Sequence, residues 1–169
     1  ISNWTYNETA QTPTSSTNFG EVVYTYSTSE AGEYTSEVPT NAGTYYVKAS
    51  VAETTNYKGF EVTKSFVIEK AKVNTPKVDS KDYTGEGITA DIETSDLYEV
   101  VTNNGGTNVG KYEVVLKLTD SSNYKWNETV EETTTLEFEI TQATTTISNL
   151  AISNWTYNET AQTPTSSTN

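Results

Sequence analysis

The sequence contains no cysteine, methionine or histidine, and its ten basic side chains are all lysine. Without cysteine there are no disulfides and no thiolate nucleophiles, and without Cys and His there are no Cys/His zinc sites and no Ser-His-Asp triad. A nucleophile, a base and a stabilising group cannot be assembled from what remains. We therefore predict that the protein is not an enzyme and uses no cofactor.

Positive charge is scarce, because ten Lys stand against 23 Asp and Glu and the formal net charge is −13. Such a chain repels the phosphates of nucleic acids and anionic lipids, so no nucleic-acid partner is expected. No apolar run approaches the roughly 20 residues of a membrane-spanning helix, and no membrane span is predicted in this stretch. The five aspartates are scattered and do not form a calcium-type loop, so no metal site is predicted.

A long internal repeat is the strongest feature that is present. Residues Ile1–Asn18 recur letter for letter as Ile152–Asn169, which gives a period of 152 − 1 = 151 residues. An identity of this length indicates a tandem array. The sequence is therefore interpreted as one period followed by the opening of the next.

Twelve Tyr, three Trp and many Val and Ile residues alternate with polar residues in several stretches, which predicts an all-β fold. In each half of the period the apolar residues of two long strands share one parity and are expected to face a core. The predicted core residues are Tyr45, Val47, Val51, Phe66, Ile68, Tyr112, Val114, Leu116, Leu118, Phe138 and Ile140.

The two halves follow the same plan and are interpreted as homologous modules. Residues 1–71 form module A, which has the longer hairpin, and residues 72–143 form module B, whose first strand is predicted over Lys72–Val78. Residues 144–169 are the opening of the next module A, and their lead segment, Thr144–Ala151, precedes the repeated block. Module A has no such lead in this chain, so its first strand is expected to be missing.

Short motifs follow the same order in both modules and carry a resemblance to a known family, although Asn7 stands in module A where module B has Gly85 and Trp126 stands in module B where module A has Gly59. They are Tyr-x-Gly-Glu at Tyr83–Glu86, Asn-x-Gly-x-Tyr-x-Val at Asn41–Val47 and Asn108–Val114, Asn-Tyr-Lys-Gly at Asn56–Gly59, and Phe-x-Ile-x-Lys-Ala at Phe66–Ala71. This pattern resembles the MBG/YDG-type immunoglobulin-like repeats of bacterial surface proteins of the adhesin type. The resemblance implies two tandem, small, Ig-like β-sandwich modules within a repeat array, with no catalytic residues.

Two functions remain open at this point. The first is that of a structural repeat unit in a bacterial extracellular stalk or filament at the cell surface, with modules stacked head to tail. The alternative is a carbohydrate- or host-receptor-binding adhesin module, in which Trp4, Tyr6 and Trp126, with the outward-facing Tyr46, provide an aromatic platform. The same rings could instead fill cores or junctions, as Tyr and Trp often do.

Lys64 has the parity of a core residue. A bulge or sheet edge from which its stem extends to solvent is the first explanation. The alternative is an intramolecular isopeptide bond with an Asn or Asp.

The duplicated block also suggests neighbouring copies or repeats of the chain itself as partners. Residues 144–169 of one copy could complete module A of the next copy by strand exchange, which would build a filament. They could equally be the start of the next module in one covalently continuous chain. Both interpretations remain open from the sequence.

Overall fold

The computed structural model describes residues 1–127 and 129–168. Every helix or strand assigned within these residues is a β-strand, so the prediction of an all-β fold is confirmed. The described residues contain no helix that is long and apolar enough to cross a membrane. In chain order the strands are Trp4–Thr5 (β1), Val23–Ser27 (β2), Gly43–Val51 (β3), Phe60–Glu69 (β4), Ala71–Val73 (β5), Lys81–Asp82 (β6), Tyr98–Asn103 (β7), Gly110–Leu118 (β8), Tyr124–Trp126 (β9), Thr133–Thr141 (β10), Ile147–Ala151 (β11) and Thr165–Thr168 (β12).

Two four-stranded sheets have the same strand order, β1-β4-β3-β2 in module A and β6-β10-β8-β7 in module B. In each sheet the two long strands pair antiparallel, and a two-residue strand pairs parallel with the end of the last long strand. The register is also equivalent, because Trp4 lies opposite Ile68 and Lys81 lies opposite Ile140. The two halves therefore repeat each other in pairing as well as in sequence.

Each sheet has its own hydrophobic cluster. Val47, Phe66 and Ile68 are buried in module A, together with Tyr26, which the sequence analysis had not named. In module B the buried residues of the predicted core set are Val114, Leu116, Leu118, Phe138 and Ile140. The remaining predicted core residues, Tyr45, Val51 and Tyr112, are half-buried.

A second, two-stranded sheet completes the core of module B. Strands β5 and β9 pair parallel, with Val73 opposite Trp126, and both side chains are buried in the same cluster as the long strands. The strand predicted over Lys72–Val78 is shorter in the structure and ends at Val73. Pro76, three residues further on, has no N–H to donate to a ladder, which opposes a longer strand.

The repeated eighteen-residue block has two different environments. In its first occurrence Trp4 pairs with β4 and stacks on Phe66, with the ring centroids 5.4 Å apart. In its second occurrence Trp155 is 50 % exposed, and β12 of the block pairs with β11, which precedes the block, in a separate two-stranded sheet that is exposed throughout. The sequence is the same, so the difference in burial comes from the surroundings.

Candidate intermodule junction

The chain passes from module A to module B without a linker. Strand β4 ends at Glu69 and strand β5 begins at Ala71, so Lys70 alone separates them. The Lys70 ammonium group donates a hydrogen bond to the carbonyl of Ser121 at 2.6 Å, and the Ala71 N–H donates to the carbonyl of Asn123 at 2.9 Å. The connection itself is therefore fastened to the loop that precedes β9.

Asn123 is the centre of this junction and is only 7 % exposed. Its side-chain carbonyl accepts a hydrogen bond from the Ala42 N–H of module A at 2.8 Å. Its side-chain NH₂ donates to Asn41 Oδ1 at 3.2 Å and to Asp120 Oδ2 at 2.8 Å. With the hydrogen bond from Ala71, the side-chain carbonyl, the side-chain NH₂ and the backbone carbonyl of the buried Asn123 all have hydrogen-bond partners.

Asp120 holds the Asn123 loop in shape. Its Oδ1 accepts from the backbone N–H groups of Ser122 and Asn123 at 3.1 and 3.2 Å, and its own backbone carbonyl accepts from the Tyr124 N–H at 3.0 Å. An Asp side chain that binds backbone groups two and three residues ahead forms a standard local turn. The amide of Asn123 is thus oriented before it meets module A.

An aromatic pair covers the other side of the junction. Tyr6 of module A meets Tyr124 of module B edge to face, with centroids 5.4 Å apart and an interplanar angle of 83°. Edge-to-face pairs of this kind are favourable beyond the area that they bury. Partial desolvation, assisted by the nearby charges of Glu8 and Asp120, raises the pKa of the Tyr6 hydroxyl.

A junction built in this way fixes an orientation. Hydrogen bonds are directional, and a buried polar network whose members are all satisfied favours a single arrangement over alternatives. Because the contacts come from the connecting residue, the Asn123 loop and a ring pair, they constrain bending of one module against the other. The site has the chemistry of a structural joint.

The three aromatic residues predicted as ligand or junction contacts, Trp4, Tyr6 and Trp126, lie in three different environments. Tyr6 lies in the junction, Trp4 is half-buried against Phe66, and Trp126 is 1 % exposed in the core of module B. The Trp126 N–H donates to the Glu132 carbonyl at 3.1 Å, so its polar group is satisfied inside the fold. These three rings are not brought together on one exposed face.

Lys64 is exposed on β4. The residues that line the shallow groove around it are Glu30, Tyr46, Thr63 and Ser65, none of which is an Asn or Asp. The pairing of β3 with β4 runs without a register shift, so no bulge accounts for its exposure. No bulge is present, but the alternative of a sheet edge agrees with the pairing, because β1 meets β4 at Ile68 and Glu69 and, among the described residues, β4 is paired with β3 alone at Lys64. The isopeptide bond stays a prediction.

Acidic side chains do not gather into a cation site. Within residues 1–127 and 129–168, no group of three or more His, Cys, Asp or Glu side chains is arranged to hold a metal ion. The ion pairs instead link single lysines with single carboxylates at the surface, as for Lys111 and Glu137 at 2.7 Å.

The Asn-Tyr-Lys sequence of module A recurs in module B, but this recurrence alone assigned Asn123 no role in the junction. The signal was its recurrence, since Asn56-Tyr57-Lys58 in module A corresponds to Asn123-Tyr124-Lys125 in module B. A polar residue repeated within an Asn-Tyr-Lys motif at a module end points to a contact between modules. Its partner, the Asn41–Ala42 turn, lies 81 residues away in sequence and could not be paired with it from the pattern.

No protein-family model matches this chain, and neither does any curated protein or solved structure. The resemblance stated above therefore depends on the motifs and on their order alone.

Proposed function

We propose that this chain is a structural repeat unit of a bacterial extracellular stalk or filament, in which small Ig-like β-sandwich modules stack head to tail. The observation that carries the proposal is the junction around Asn123. It joins two homologous modules through one connecting residue and a fully used amide, with no flexible linker between them.

Each module also contains residues equivalent to both sides of the junction around Asn123. The half that module A presents to module B is the Asn41–Ala42 turn with Tyr6, and module B has the corresponding Asn108–Val109 turn with Tyr83. The equivalence extends to hydrogen bonds, since Tyr6 and Tyr83 both donate their backbone N–H to the last long strand, at 2.8 and 2.9 Å.

At the far end of module B the corresponding residues are exposed. Tyr83 is 41 % exposed and Val109 is also exposed, whereas Tyr6 and Ala42 are half-buried. Module A presents the complementary half, Asn56-Tyr57, at its own free end. A unit with both halves exposed at opposite ends can continue in one direction, which is the arrangement of a heterologous, non-closing assembly.

The composition is consistent with an extracellular stalk. A cysteine-free composition rich in Thr and Asn is typical of exported bacterial surface proteins. The net charge of −13 disfavours aggregation of closely spaced modules. No catalytic or cofactor role is part of this proposal. The expected partners are neighbouring repeats of the same sequence.

The alternative, a carbohydrate- or host-receptor-binding adhesin module, has less support. It relied on an exposed platform of rings, and two of its members, Trp4 and Trp126, pack against their own modules. A glycan array would detect such binding directly, and a retained glycan would favour the adhesin function over the purely structural one.

Rigidity of the junction tests the proposal. Spin labels on cysteines at two exposed strand positions, Ser65→Cys in module A and Glu99→Cys in module B, report the distance across the joint, and no native cysteine interferes. We expect a single narrow distance distribution for the otherwise unchanged chain. Asn123→Ala leaves the Ala42 N–H unpaired at a cost of about 1–3 kcal/mol, and the distribution should broaden.

The matched control is Asn103→Ala, which removes a side-chain amide that bridges the Ala90 N–H and carbonyl entirely within module B. It should lower the stability of module B without changing the width of the distance distribution. A broad distribution in the parent chain, or equal effects of the two substitutions, would reject a rigid joint.

A further inference from the structure

Module A has a partly apolar groove at the end away from the junction, lined on one side by its own segment Ser15–Phe19, whose Phe19 ring stacks on Tyr57. The groove has a volume of about 280 Å³ and lies over the half of the sheet that contains Ala49 and Val51 of β3 and Phe60 and Val62 of β4. These four residues have the same parity as the buried Val47 and Phe66. Phe60 is nevertheless 71 % exposed, and Val62 is exposed as well.

Module B shows what covers this place when it is filled. There the two-stranded sheet of β5 and β9 supplies Val73 and Trp126, and the strand residues Leu116 and Leu118 are buried beneath them in one cluster. In module A the counterpart of β9, Tyr57–Gly59, is not a strand. The position that β5 takes in module B has no strand beside it among the described residues of module A.

A segment that fits this position is present elsewhere in the chain. Val73 precedes Val78 by five residues, and Ile147 precedes Ile152 by five residues. Val78 packs against the core cluster of module B, and Ile1, which is Ile152 one period earlier, packs against that of module A. Counted back from these equivalent residues, Ile147 corresponds to Val73.

Strand β11 of the lead segment Thr144–Ala151 pairs antiparallel with β12 along one edge, and its residues are exposed. It carries no charge, and with Ile152 after it the large apolar side chains Ile147, Leu150 and Ile152 are 70 %, 69 % and 57 % exposed. The lining of the groove contains one charged residue, Lys58, and no carboxylate. Two chains that repel each other overall can therefore meet at this contact without a charge penalty.

We infer that the groove of module A binds the lead segment Thr144–Ala151 of a second copy of this chain as a parallel strand beside Tyr57–Gly59. Ile147 then takes the place that Val73 has in module B, opposite Gly59. This inference rests on the proposed function and names the contact by which one repeat unit completes the next. In a covalently continuous array the same residues of the preceding repeat occupy the groove.

The register of β5 and β9 specifies a test. Lys72 lies opposite Lys125 there, so Thr146 of one copy should lie opposite Lys58 of the other. A full-length chain carrying Thr146→Cys is mixed with one carrying Lys58→Cys under mild oxidation, and the disulfide-linked heterodimer is measured by mass spectrometry. The native chain has no cysteine, so each thiol is unique.

We expect several-fold more heterodimer from this pair than from Lys58→Cys mixed with Lys77→Cys, a strongly exposed site in module B. Adding Ile147→Asp to the Thr146→Cys chain should reduce the yield to that of the control pair. Ile147 is largely exposed in the single chain, so this substitution leaves the fold of the monomer intact.

A yield no higher than that of the control pair would overturn the inference, and so would a yield that Ile147→Asp leaves unchanged. Neither result would bear on the proposed rigid junction at Asn123, because the spin-label distances across that junction do not depend on the groove. A narrow spin-label distance distribution together with no cross-linking above the control would reject only the binding of the lead segment in the groove. A broad distribution would reject the proposed rigid stacking of the modules.

Discussion

The three tryptophans offer a direct test of how their surroundings determine stability, because the same substitution, Trp→Phe, should have three different effects. Trp126 is 1 % exposed and donates its N–H to the Glu132 carbonyl at 3.1 Å. Trp4 stacks on Phe66, but its buried N–H has no hydrogen-bond partner among the described residues. Trp155, the same residue one period later, is half exposed.

The expected magnitudes follow from these contacts. Trp126→Phe loses a hydrogen bond worth about 1 kcal/mol and leaves a cavity that adds about another 1 kcal/mol, so it should destabilise the protein by roughly 2 kcal/mol. Trp4→Phe keeps a ring to stack on Phe66 and removes a buried, unpaired donor, whose desolvation costs about 1–3 kcal/mol. The gain offsets the lost area, so we expect a change within about 1 kcal/mol of zero. Trp155→Phe should change stability by less than about 0.5 kcal/mol.

Urea unfolding followed by circular dichroism measures these differences without depending on tryptophan fluorescence. Because the two modules can unfold separately, each transition is fitted on its own. The Trp126 substitution should move only the transition of module B, and the Trp4 substitution only that of module A. A loss of stability at Trp4 equal to or greater than that at Trp126 would refute this reasoning about the unpaired N–H.

Two further predictions concern pH and backbone. Burial raises the pKa of the Tyr45 and Tyr98 hydroxyls above the ordinary value of 10.0, so the native state holds these protons more tightly than the unfolded chain. The contribution of these two groups to stability should be constant below pH 10 and should be lost as pH rises through the raised values. Urea midpoints and tyrosinate absorbance measured together would contradict this if stability were unchanged where these tyrosines ionise. Gly105 has φ of +56°, and a Cβ there would lie 1.8 Å from the Ile88 carbonyl oxygen, whereas a Cβ at Gly87 meets nothing within 4 Å. Gly105→Ala should therefore lower the free energy of unfolding by roughly 2 kcal/mol or more, and Gly87→Ala should change it by less than about 1 kcal/mol in either direction. Equal shifts of the melting temperature for the two variants would contradict the placement of the turn at Gly105.

Local sequence determines some features of this fold completely. The turn after Asn7 has the same form in both occurrences of the repeated block, with φ of 64° at Glu8 and 63° at Glu159. In each case the Asn side chain accepts the N–H of the residue two positions on, at 3.1 Å. An Asx-type turn requires only its own residues, so the sequence pattern is sufficient to predict it.

Contacts between residues far apart in sequence could not be predicted from the sequence pattern. The sequence places Trp126 in a long excursion between strands, as a candidate ligand or junction aromatic, yet parallel pairing with Val73, 53 residues earlier (126 − 73), buries it. Lys64 has core parity but is exposed, at a point where, in the described part of the chain, β4 is paired with β3 alone. Periodicity identifies which residues share a face, but whether another element covers that face depends on chain segments far away in sequence.

In an array, we expect the 151-residue period to stack on itself as a rigid rod. The most direct measurement is electron microscopy of chains in which two, four and six periods are joined in frame, with contour length and bending recorded for each. We predict straight particles whose length grows in proportion to the number of periods, and which bend more when every period carries Asn123→Ala. Particles that are compact, or that bend freely with intact junctions, would contradict the claim.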